Sequence, residues 1–123
     1  MVSPVWAEQV LHFDFEGESS GFATKGNVRD TLGPVPPEYP DFPKTNRALE
    51  FDGSTRLVVK DPGEGSPLDF DNGDSITMEA WVNLQGIGDG QQVYIVGKGR
   101  RNNPKVAADN QNYAMRLRGI GGT

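Results

Sequence analysis

Asp14 and Glu16 stand two residues apart in the run Leu11-His12-Phe13-Asp14-Phe15-Glu16. Glycoside hydrolysis needs such a pair, because acid and nucleophile must flank one bond. The spacing is right, but the run lacks the flanking pattern of a hydrolase strand. Glu79, the one carboxylate between Ser75 and Leu84, cannot do two-carboxylate chemistry alone. Gly17-Glu18-Ser19-Ser20-Gly21 has the form of a nucleophile elbow, yet that device needs a following helix, a parallel sheet and a distant histidine. His12 is the sole histidine and no helical pattern starts at Phe22, so these five residues read as a turn. One histidine and no cysteine also exclude multi-histidine and thiolate metal sites. Catalysis is therefore not expected.

Binding chemistry is better represented. The cluster Asp69-Phe70-Asp71-Asn72-Gly73-Asp74 offers the several oxygens that a hard cation wants from one short loop. It fails the EF-hand template, whose fifth and twelfth positions would fall on Gly73 and Ala80. A different calcium site, built from loop carbonyls with Asp52, Asp71 or Asp74, stays open beside the reading as a solvated turn. Lys98, Arg100, Arg101 and Lys105 gather positive charge in one loop, suited to an anionic glycan or a partner's acidic patch, or simply to solvation. Trp6, Trp81 and Tyr94 can stack on sugar rings or fill a core. The candidate ligand set is Trp81, Tyr94, Lys98, Arg100 and Arg101; the candidate metal set is Asp52, Asp71 and Asp74.

The elements that must position these residues read as strands. Asp74 to Asn83 alternates Ile76, Met78, Ala80 and Val82 with polar residues and Trp81, the period of two that gives a strand unlike faces. Val10 to Glu16 alternates in the same way. Ala48 to Phe51 and Arg56 to Lys60 read as a hairpin through Asp52-Gly53-Ser54-Thr55. Gln92 to Lys98 and Asn112 to Arg118 complete six strands, the last alternating Tyr113, Met115 and Leu117 with polar residues. Gly86-Ile87-Gly88-Asp89-Gly90 reads as a flexible connection and not a phosphate loop, since no Lys-Ser/Thr follows. Residues 17–47 read as one long irregular loop, in which Pro34, Pro36, Pro37, Pro40 and Pro43 forbid a helix or a central strand. The fold class expected is all-β, an antiparallel sandwich.

The 123 residues make one small domain, 35% hydrophobic and with no apolar run of membrane-spanning length. Twelve basic and 17 acidic residues leave a net charge of −5, a field that disfavours nucleic acid and anionic membrane surfaces. Val5-Trp6-Ala7 has the small residues that a signal peptidase reads, so residues 1–9 are expected to be a signal remnant or a disordered start.

The order of these signals carries a resemblance. Leu11-His12-Phe13-Asp14-Phe15-Glu16, Ala48-Leu49-Glu50-Phe51-Asp52-Gly53, Ser75-Ile76-Thr77-Met78-Glu79-Ala80-Trp81-Val82, Ile95-Val96-Gly97-Lys98-Gly99 and Asn112-Tyr113-Ala114-Met115-Arg116-Leu117 follow one another across residues 10–118. The chain closely resembles the N-terminal half of a laminin-G-like jelly-roll domain of the concanavalin A-like lectin/glucanase superfamily. The resemblance implies a two-sheet jelly roll in a secreted, periplasmic or cell-surface protein. It also implies a non-catalytic accessory module that binds carbohydrate or protein. Fold alone does not fix activity. Because the family continues for several more strands, an incomplete sandwich is expected, with residues 119–123 as a tail and self-association through uncovered strands. The alternatives are a remnant of a larger protein without autonomous function and a fragment of a glucanase-type glycoside hydrolase.

Overall fold

A computed structural model describes residues 8–17, 21–99 and 111–121. The described chain is all-β, with six strands, all antiparallel, and no helix. It divides into two units, Met1–Ser66 and Pro67–Thr123.

The first unit holds β1 (Ala23–Lys25), β2 (Arg29–Leu32), β3 (Arg47–Glu50) and β4 (Arg56–Val58). β2 pairs with β3, Arg29 facing Glu50 and Leu32 facing Arg47, while β1 pairs with β4, Ala23 facing Val58 and Lys25 facing Arg56. The strands on either side of Asp52-Gly53-Ser54-Thr55 therefore exist, but they do not form the expected hairpin with each other. The turn between them is closed by its own side chains. Asp52 Oδ1 accepts from the Ser54 amide (2.9 Å) and hydroxyl (2.7 Å), Thr55 Oγ1 accepts from the Asp52 amide, and Gly53 takes φ +89°. These bonds close a local bend, and the chain runs on to a second ladder. Opposite lies Gly26 at φ +81°, where an added Cβ would stand 2.7 Å from Thr55 Cγ2. Only glycine fits that crossing without displacement.

β1 and β2 correct the reading of residues 17–47 as wholly irregular. The prolines that motivated it all lie between positions 34 and 43, leaving 23–32 free to donate amides to a ladder. The true connection, residues 33–46, is closed by Asn46, which is 8% exposed. Its carbonyl accepts from the Gly33 amide (2.9 Å), and its side-chain amide donates to the Pro34 carbonyl (2.9 Å).

The second unit holds β5 (Gln92–Gly99) and β6 (Gln111–Arg118). Tyr94 faces Arg116 and Val96 faces Met115, so Ile95 is a bulge; a second irregularity falls between Lys98 and Gly99. The first bulge puts Val93 and Val96 on the face of Met115 and Leu117, and leaves Tyr94 on the other face with Arg116. A loop docks on this pair. The Asn112 side chain accepts from the Phe70 amide (3.2 Å) and donates to the Phe70 carbonyl (2.7 Å), the Phe70 ring meets Tyr113 edge-on at 5.5 Å, and Lys98 pairs with Asp69. At the far end the glycine-rich connection and the expected tail are tied together. Gly90 donates to the Gly119 carbonyl, Gly119 to the Gln91 carbonyl and Gly121 to Asp89.

Two expected strands are not strands. Ser75–Leu84 joins no ladder, and its apolar positions stay open to solvent, Ile76 at 40% and Val82 at 47% exposure. Alternation assigns faces, whereas a strand also needs a neighbour to meet its backbone groups. Val10–Glu16 is also unpaired. There Phe15 sits at φ +60° and Asp14 Oδ1 accepts from the Glu16 amide (3.1 Å), which bends the extended run. Among the described residues no hydrophobic side chain is buried.

Candidate functional site

The bend at Phe15 starts the site. Asp14, Phe15 and Glu16 make a turn in which an aspartate caps its own backbone. A bulky residue at positive φ is an outlier held only where its surroundings demand it, at a cost on the order of 1–3 kcal/mol. Phe22 lies edge-on to Phe13 (centroids 5.1 Å apart, 88°) and steeply to Phe15 (6.1 Å, 72°), while Phe13 and Phe15 are nearly parallel at 6.3 Å. All three rings are partly exposed.

The β2–β3 ladder supplies the opposite wall. Its register puts Asp30, Arg47 and Leu49 on one face. Arg47 grips Asp30 through two nitrogens (Nη2 to Oδ2 2.7 Å, Nε to Oδ2 3.2 Å), and its backbone amide donates to Glu16 Oε1 (2.6 Å). The hydrogen bond that the guanidinium donates to Asp30 is the main reason it is held above its ordinary value; partial desolvation opposes it, and attraction to Asp30 and Glu16 adds to it. Between these walls lies a cleft of about 580 Å³, lined by His12 through Gly17, Phe22, Thr24, Val28, Asp30, Arg47 and Leu49. The lining is divided between aromatic and aliphatic side chains and the polar groups of His12, Asp14, Glu16, Thr24, Asp30 and Arg47. A smaller hollow of about 390 Å³ adjoins Phe22, Val58 and Lys60.

The residues singled out from sequence fall elsewhere. Trp81 is 70% exposed on the unpaired Ser75–Leu84 segment. Tyr94 lies under the Arg116 guanidinium, 5.9 Å from the ring centroid. Lys98 is on the opposite face of the ladder, since the bulge at Ile95 reverses the phase between them, and its ammonium is paired with Asp69. Arg100, Arg101, Lys105 and Trp6 lie outside the described residues. Asp52 belongs to the first unit, where Ser54 donates to it and so lowers its carboxyl below the ordinary value. Asp71 and Asp74 close one turn in the second unit, the Asp71 amide donating to Asp74 Oδ2 (2.8 Å) and the Asp74 amide to the Asp71 carbonyl (3.1 Å). Among the described residues no three acidic or histidine side chains gather as a metal would require.

Phe13, Phe22 and Arg47 are the residues that sequence reading passed over. Phe13 and Phe15 carry a signal in their shared phase, but Phe22 stands alone between Gly21 and a polar stretch, and Arg47 follows the proline-rich connection with no pattern of its own. Comparison with known protein families, curated proteins and solved structures finds no match.

Proposed function

We propose that this chain is a non-catalytic carbohydrate-binding module of a secreted or surface protein, with the cleft of the first unit as its binding site. The observation that supports this is the meeting of three partly exposed phenylalanines with Asp14, Glu16, Asp30 and Arg47 around one open cleft. Sugar rings have apolar C–H faces and polar edges. Aromatic rings cover the former, and carboxylates and a guanidinium bond the latter. The all-β, antiparallel strands are those a jelly-roll sandwich would use, and the resemblance to laminin-G-like domains points to the same class of ligand. Asp14 and Glu16 already accept backbone amides, which gives both a structural use without any catalytic step.

Glycan-array screening of the chain, followed by titration of hits against Phe22→Ala and Arg47→Gln, tests the reading. Binding weakened about tenfold or more by either change, as losing a stacked ring or a charged hydrogen bond would do, is the expected result. Full affinity in both variants would remove the cleft from the account. Release of reducing ends from a β-glucan would replace the module with a hydrolase.

A further inference from the structure

Resting on that binding reading, we infer that the cleft selects glycans carrying free protonated amines, of the glucosamine type, over neutral or acidic ones. The charges around the cleft are unequal. Asp30 is neutralised by Arg47, which grips it through two nitrogens. Asp14 and Glu16 each accept one backbone amide through one oxygen, and the Arg47 guanidinium attracts Glu16 as well as Asp30, so one cation stands against three carboxylates. Two carboxylates thus remain to attract a positive group, with His12 the other titratable side chain on the rim. The rings act in the same sense. Phe13, Phe15 and Phe22 line the cleft, and an aromatic face carries the negative part of its quadrupole, which favours a nearby ammonium. A carboxylated or sulfated sugar would meet the same two charges as repulsion. An N-acetylated sugar would keep the stacking and lose the attraction.

Titration of the full chain with glucosamine oligomers and with N-acetylglucosamine oligomers of equal length, at mildly acidic pH where the free amines are protonated, tests this. The amine form should bind about tenfold tighter, the size of one partly desolvated cation–π contact, and added salt should shrink the difference. Asp14→Asn, which keeps the oxygen that accepts the Glu16 amide, should narrow the difference between the two affinities. Glu16→Gln provides a second variant, and Asp71→Asn, in the other unit, should preserve the preference. Equal affinity of the unaltered chain for both oligomers would overturn the selectivity and leave the binding reading standing. Binding of neither oligomer nor any other glycan would overturn both. A preference reduced as much by Asp71→Asn as by Asp14→Asn would mean that the net charge of −5, and not the cleft, attracts the amine.

Discussion

Asp52 shows how one side chain can close a turn. A carboxylate that takes the amide and hydroxyl of Ser54 closes its own turn between β3 and β4. Those hydrogen bonds lower the folded-state carboxyl below its ordinary value of 3.8. The stability they contribute is therefore complete above that ordinary value and is lost as pH falls through the lowered one. Asp52→Asn is expected to lower the midpoint of thermal unfolding at neutral pH, and its curve should converge with that of the unaltered chain in strong acid. Parallel curves across the whole range would dissociate the turn from this charge. Asn112 is a second such residue, because it meets both backbone groups of Phe70. Replacing it with alanine removes two hydrogen bonds, about 1–2 kcal/mol in all. Amide exchange at Phe70 should speed up about tenfold in Asn112→Ala. An unchanged rate would mean that the Phe70–Tyr113 contact holds the loop unaided.

The connections between elements depend on small residues where backbones approach. Gly119 is the clearest case: a Cβ there would run into the Gly88 carbonyl, while one on Gly86 would meet nothing within 4 Å. Gly119→Ala should destabilise the second unit by about 1–3 kcal/mol, the usual cost of overpacking, and Gly86→Ala should be close to neutral. Circular dichroism melts of the two variants check this, and equal melts would refute the tie between the 88–91 turn and Gly119. The β5–β6 pair shows how much of an element is legible. Its two strands follow from alternation over 92–98 and 112–118. The bulge at Ile95 does not, because one extra residue costs no change in composition yet moves Lys98 to the face opposite Tyr94. Two residues four apart that sequence reading joined in one ligand set are separated by that single insertion.

For the whole molecule the decisive observation is that Ile76, Trp81, Val82, Leu84, Val93 and Val96 all remain exposed, with no hydrophobic side chain buried among the described residues. Each such side chain stabilises a fold by roughly 1.5–3 kcal/mol only when it leaves water. We propose that the isolated chain self-associates through these surfaces. Sedimentation velocity over a range of concentrations should show mass rising with concentration, and a sharp monomer at every concentration, with cooperative unfolding, would contradict it.

The amino-acid sequence makes the all-β class legible, through alternation and through glycine, proline and asparagine at the breaks, since these are local properties of two or three adjacent residues. It also located strands near 47–50, 56–58, 92–99 and 111–118. Only the tertiary structure decided which strands pair, that Ser75–Leu84 joins no ladder and that Phe13, Phe22, Asp30 and Arg47 meet in one cleft. Alternation tells a strand which side to turn inward, but not whose backbone will lie beside it. That choice depends on contacts between residues far apart in the chain, such as Glu16 with Arg47.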